Sequence, residues 1–175
     1  MHFFLRAKAW QLCLLMVVPY AVFKLTAFGQ SAVTYGFLWL YFLLVILGWF
    51  FTIARESLRQ TADGLRSSDR LFRVAIALPV IHIVLITFLV WLPWSRGELD
   101  QQPSWLLPMH FVAIFSYFYC LWFTAKTYTT AREQHSTQFI DYYLPFMGFW
   151  LCVVGVWFLQ PDINRRLGQV NDSSH

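Results

Sequence analysis

Residues 32–54 read AVTYGFLWLYFLLVILGWFFTIA, and the chain then passes without a break into residues 55–59, RESLR. The first stretch holds no charge and no proline and is rich in Trp, Tyr and Phe. At 1.5 Å of rise per residue a helix of this length covers about 34 Å. A bilayer's hydrocarbon core is about 30 Å thick, so the run is long enough to cross it. In lipid every backbone N–H and C=O must be paired within the protein, which leaves helices or a closed barrel. Barrel strands alternate and are about 10 residues long. This run is continuous and twice that length, which selects a helix that ends in a polar extension.

The same pattern recurs on both sides. Residues 9–28 form an apolar run interrupted by Pro19, where a kink is expected, and carrying Lys24 near its end. Gly29, Gln30 and Ser31 then read as a tight turn. Asp63 and Gly64 mark a break beyond residues 55–59. Further runs occupy 74–94, 105–125 and 142–160, joined by a short polar connection at 95–104 and a longer one at 126–141. Pro161 is expected to end the last run, leaving a frayed polar tail over 162–175. The first run continues past Pro19 and Tyr20 without a small-residue cleavage site, so it reads as a retained helix. The expectation is an all-α polytopic transmembrane helical bundle in one domain over 1–175. Five spans are predicted, and a four-span arrangement with a re-entrant or interfacial first segment is the alternative.

Composition supports this. The chain is 58% hydrophobic and 13% charged, against about 25% charged in soluble domains. So much apolar surface must face lipid. The formal charge of +4 is the ordinary bias of cytoplasmic loops toward Lys and Arg. A nucleic-acid surface would interleave basic residues with exposed aromatics, but here the aromatics lie inside the runs. Cys13, Cys120 and Cys152 also lie in apolar runs with no CxxC spacing, which indicates small packing side chains and neither a disulfide framework nor a metal site.

Sidedness follows from the cations. The connection between the second and third runs carries Arg55, Arg59, Arg66, Arg70 and Arg73, and this side is expected to be cytoplasmic. Alternation adds Arg6, Lys8, Lys126 and Arg132 to it and leaves Lys24, Arg96, Arg165 and Arg166 outside, a split of nine against four. The N-terminus is then cytoplasmic and the C-terminus external, with the Arg165 and Arg166 pair on the wrong side of the rule. Residues 55–73 are expected to form a short interfacial helix or helical extension.

Few polar groups fall at membrane depth, where each is a functional candidate by default. His82 lies well inside the third run. Lys24, His110 and Gln160 all fall near the expected outer level, on three different runs, and predict one shared outer pocket. A carbonyl released at Pro108 would add to it. Glu133, His135 and Asp141 have metal-capable side chains, but their spacing matches no ligand motif, so they read as solvated surface and no metal or cofactor is expected. There is no nucleophile elbow, phosphate loop or dinucleotide fingerprint. Gly36, Gly48, Gly148 and Gly155 allow close helix approach without a GxxxG motif. Pro79 to Trp91 and Pro145 to Trp157 have equal spacing, which placement of Pro and Trp by membrane depth explains without a repeat.

One resemblance emerges. The C-terminal third carries Pro108, His110, an aromatic stretch at 115–123 with Tyr119, then Ala125 and Lys126, and Glu133. Its ending reads Trp150, Gly155, Trp157, Phe158, Gln160, Pro161, Ile163 and Asn164, the last part in the order Gly-x-Trp-Phe-x-Gln-Pro-x-Ile-Asn. Over about 65 residues it resembles a group of small, uncharacterised bacterial multi-pass membrane proteins of the Bacteroidetes. Asp162 stands where that group leads one to expect a basic residue. The resemblance implies shared architecture in a bacterial inner membrane and carries no activity.

The soluble parts are too small for a catalytic domain, and the runs lack paired charges. The expected role is therefore that of a non-enzymatic integral membrane protein acting through association with itself or with a larger membrane partner. A small channel, transporter or membrane-perturbing effector is the first rival, and a lipid-directed membrane enzyme using His110 is the second.

Overall fold

The computed structural model describes residues 3–25, 32–98 and 103–167, and every regular element among them is helical. A short α1 (Phe3–Arg6) leads into α2 (Ala9–Leu25), which continues through Pro19. α3 (Ala32–Gln60) carries the run at 32–54 and its polar extension as one helix. A single 3-10 turn at Asp63–Leu65 follows. α4 (Arg70–Ile86) passes through a π-helical segment (Thr87–Trp91) into α5 (Leu92–Ser95). α6 (Leu106–Glu133) ends at Gln134 in the left-handed conformation, φ 53°, a common way to close a helix. The helices α3, α4 with its continuation, and α6 are long and apolar enough to cross a membrane, while α2 is a shorter apolar helix. Residues 26–28 of the expected first span lie outside the described residues.

The last run departs from expectation. Residues 142–160 do not form one helix: α7 (Phe139–Trp150) stops at Leu151, whose ψ of 34° is not helical, and α8 (Cys152–Leu167) starts anew. Seven residues of straight helix would separate Gly148 from Gly155 by about 10 Å. Instead a Cβ built on Gly155 would fall on the Gly148 carbonyl and lie 2.8 Å from the Gly148 Cα. The chain therefore folds back on itself, and only two residues without side chains permit that approach. Gln138 and Asp141 cap the start of this hairpin, the Gln138 backbone N–H donating to Asp141 at 2.7 Å. α8 continues through Pro161 to Leu167, with Ile163 and Leu167 buried. The expected stop at Pro161 and the frayed tail from residue 162 are thus corrected, and residues 168–175 lie outside the described residues. The equal spacing from proline to tryptophan in the third and last runs has no structural counterpart, since only the third is a continuous path.

The hairpin reaches only partway along the bundle. Its tip residue Phe149 packs on Trp49 and Phe50 of α3, with ring centroids 5.2 and 5.7 Å apart. Trp49 is eleven residues from the end of α3, or about 16 Å along it. Trp49, Phe50, Phe149 and Tyr128 form the centre of the buried cluster, and Phe72 stacks on Phe123 at 4.5 Å beside it. At the other end α3 and α4 approach closely at Gly36, where a Cβ would come within 3.0 Å of the Thr87 Cβ.

The fold-back also moves the end of the chain. α8 brings Arg165 and Arg166 to the end of the bundle that holds the start of α1, the end of α3, the start of α4 and the end of α6. Of the thirteen Lys and Arg residues only Lys24 and Arg96 belong to the opposite end, leaving eleven at or near the basic end.

Candidate functional site

The expected outer pocket of Lys24, His110 and Gln160 does not form. Lys24, exposed at the end of α2, donates to the Tyr35 hydroxyl at 3.3 Å and sits over the Tyr35 ring at 5.4 Å. His110 is exposed on α6 and meets His82. Gln160 lies at the basic end, against Phe4 and Ala7. Ala9, the first residue of α2, and Lys24 are fifteen residues apart, about 22 Å along the helix. The reason is the fold-back, because a straight run at 142–160 would have carried Gln160 to the far end. Pro108 is the third residue of α6, where the missing N–H has no helical partner to lose, so no carbonyl is released there.

His82 and His110 form a pair. His82 Nε2 and His110 Nδ1 are 3.0 Å apart, and the rings are tilted by 57°. His82 is 7% exposed, and its Nδ1 is buried without a partner. Buried N–H groups left unpaired are rarer than unpaired acceptors. The tautomer with the proton on His82 Nε2, donating to His110, is therefore the favoured one, because the opposite assignment would strand an N–H at Nδ1. Such a pair needs one bare nitrogen in the contact. A second proton would place two N–H groups face to face.

The most connected polar residue is Gln160, fully buried in α8. Its Oε1 accepts from the Trp49 indole N–H at 3.0 Å. Its Nε2 lies 2.7 Å from both the Phe4 carbonyl and Asn164 Oδ1, and 3.1 Å from the Ala7 carbonyl. Asn164 Nδ2 also donates to the Ala7 carbonyl at 3.1 Å. One side chain thus ties the N-terminal segment, α3 and the hairpin together, and satisfies the carbonyls where α1 gives way to α2. Sequence reasoning singled out Gln160, although at the opposite end, and missed Trp49 and Asn164 as its partners. The four-residue spacing of Gln160 and Asn164, one helical turn, was the available signal.

The two larger clefts at the basic end hold most of its charged side chains. Arg55, Arg59, Arg66 and Arg73 line one of about 820 Å³ together with Asp63 and Asp69. Arg73 holds Asp69 through two guanidinium nitrogens, at 2.7 and 2.9 Å, and Arg59 approaches the buried Glu56 at 3.6 Å. Arg70 is exposed at the start of α4, outside that lining. The second cleft, about 580 Å³, runs between the legs of the hairpin and is rimmed by Tyr128, Arg132, Asp162 and Arg166. Asp162 accepts from the Tyr128 hydroxyl and from Arg166 Nε at 2.9 Å. Burial alone would raise the Asp162 pKa, but the bonds from Tyr128 and Arg166 outweigh it and hold the carboxyl below its ordinary value.

Glu133, His135 and Asp141 are engaged locally: Glu133 pairs with Arg132 at 2.8 Å, His135 Nδ1 lies 3.1 Å from the Glu133 carbonyl, and Asp141 caps α7. No group of three metal-capable side chains occurs among the described residues.

Comparison of the chain with protein-family models, with curated proteins and with solved structures finds no match.

Proposed function

We propose that this chain is a multi-helix integral protein of the bacterial cytoplasmic membrane, with its basic end in the cytoplasm, and that it acts by association and not by catalysis. α2, α3, α4 with its continuation, and α6 cross the bilayer in this reading, and α7 with α8 dips in from the cytoplasmic side and returns. The observation that carries it is the cation distribution on the folded chain. The expected nine against four becomes eleven against two once the hairpin returns Arg165 and Arg166, which is the asymmetry that cytoplasmic sidedness produces. Association is supported by what the interior polar groups do: Gln160 and His82 are engaged with other side chains and backbone, while wide apolar faces with Phe115, Leu144 and Phe158 point outward. Those faces suit lipid, a second copy or a larger membrane partner.

Thiol labelling tests the arrangement. With the three native cysteines replaced by alanine, Ser68→Cys, Ser95→Cys and Arg165→Cys are exposed one at a time to a membrane-impermeant maleimide on right-side-out vesicles. Ser95→Cys is expected to label at once, and the other two only after permeabilisation. Labelling of Arg165→Cys together with Ser95→Cys would restore five straight spans. The association reading is checked by mass measurement in mild detergent, where a bare monomer without any co-purifying protein would count against it.

A further inference from the structure

The cleft between the hairpin legs has two chemically different parts. Its walls are apolar and face outward: Leu144 and Phe158 are each 77% exposed, and Leu151 and Val154 more than half. Its floor is the contact of Gly148 with Gly155, with the Leu159 side chain packed over Gly148. Its rim, at the basic end, carries Arg132, Arg166 and Asp162; Asp162 pairs with Arg166, and Glu133, just outside the lining, pairs with Arg132. Each arginine meets its carboxylate through Nε, which leaves the Nη N–H groups of both as donors. A volume of about 580 Å³ falls in the ordinary range for a bound small molecule.

We propose that this cleft binds one membrane phospholipid with a zwitterionic, amine-bearing headgroup. An acyl chain lies along the apolar walls. The phosphate accepts from the Nη groups of Arg132 and Arg166, a directional contact that guanidinium suits, and the headgroup ammonium faces Glu133 and Asp162. Charge complementarity selects this occupant. With Glu133 counted beside Arg132, the two arginines of the rim meet two carboxylates, whereas in the other cleft Arg55, Arg59, Arg66 and Arg73 stand against Asp63, Asp69 and the Glu56 paired with Arg59, an excess of one cation that matches a net anionic headgroup. The eight residues after Leu167 are a poor filling for an apolar cleft, since Val170 is their one large apolar side chain.

The proposal rests on the membrane reading, and the experiment separates the two. The full chain is placed in vesicles of equal parts phosphatidylethanolamine and phosphatidylglycerol. A trace of either lipid carries a photoactivated diazirine in its acyl chain. Adducts in the cleft, at Leu144, Leu151, Val154 and Phe158, are counted against adducts on the groove between α2 and α3, at Tyr20 and Trp39. The expected ratio is about fivefold higher with the ethanolamine probe than with the glycerol probe, the size of one exposed charge contact. Glu133→Gln with Asp162→Asn removes that preference, while Arg132→Gln with Arg166→Gln lowers cleft adducts with both probes. Val154→Trp, which fills the cleft and leaves the rim intact, lowers cleft adducts with both probes. Equal ratios for the two lipids, a preference that survives the loss of the two carboxylates, or a cleft that takes no adducts while the reference groove does would each overturn the proposal. An unlabelled reference groove would instead sink the membrane reading itself.

Discussion

Residues 32–54 and residues 142–160 are both uncharged, aromatic and of span length, yet one is part of a single helix and the other is folded in two. Hydropathy measures how much apolar chain there is and not the path it takes. The path depends on whether the chain can touch itself. In the last run Gly148 and Gly155 flank Leu151 and close on each other. In α3 the glycines are twelve residues apart, and a Cβ at Gly36 would meet Thr87 while one at Gly48 would meet the Phe4 ring. The same residue type thus serves contacts between helices in one run and a reversal within the other.

The contrast is broken most severely by giving Gly155 a side chain. Gly155→Leu places carbon on a backbone carbonyl that has no freedom to move away. A destabilisation of about 3 kcal/mol is expected, the upper end for overpacking, read as a fall in the detergent melting midpoint. Gly64→Ala, where a Cβ would meet nothing within 4 Å, is the control and should change little. If Gly155→Leu melts like the parent, the fold-back is not the working structure. If it stays folded and Arg165→Cys in that background becomes labelled from outside, the run has straightened into a span.

Next in size is the lock on the returning leg. Gln160→Leu removes the bonds to Trp49, Phe4, Ala7 and Asn164. Hydrogen bonds between membrane helices average about 0.6 kcal/mol each, so a loss of about 2 kcal/mol is expected, with sidedness unchanged. Protease sensitivity of the N-terminal segment should rise, since α1 loses its tether. A Gln160→Leu protein with a tightly held N-terminus would show that the network is incidental.

The smallest effects belong to the histidine pair, which joins two continuous helices and leaves the hairpin alone. His82→Ala empties a buried site and should cost about 1–2 kcal/mol more than His110→Ala, which exchanges an exposed ring for lipid contact. The histidine ranking therefore runs opposite to one based on an outer pocket at His110. Acidification should weaken the parent protein at this contact and leave His82→Phe insensitive there. Equal costs for the two alanine variants would mean that the burial of His82 does not set the worth of this contact.

The helical class, the apolar helices and their ends at the Arg-rich connection were legible in the sequence, because length and lack of charge in a run such as 32–54 admit few alternatives in lipid. The Arg165 and Arg166 pair already signalled trouble, sitting on the wrong side of the charge rule when the last run was read as straight. The hairpin was not legible. Nothing local distinguishes Leu151 from its neighbours, and the contact of Gly148 with Gly155 exists only after the chain has turned. The polar site failed for the same reason: Lys24, His110 and Gln160 were placed by counting along straight helices, and one of the three did not belong to a straight helix. His82 and His110 were both noticed, but their pairing depends on the relative register of α4 and α6, which sequence does not set.

The hairpin's limited reach gives the molecule a shape with a consequence of its own. Level with the basic end, six described helical segments lie side by side, counting α7 and α8; beyond Trp49 only α2, α3, α4 with its continuation, and α6 remain. In a bilayer such a body is a wedge, occupying more area in the leaflet at its basic end than in the other. Many copies in one patch would crowd that leaflet first, and the membrane would relieve that imbalance by bulging toward the side of the basic end.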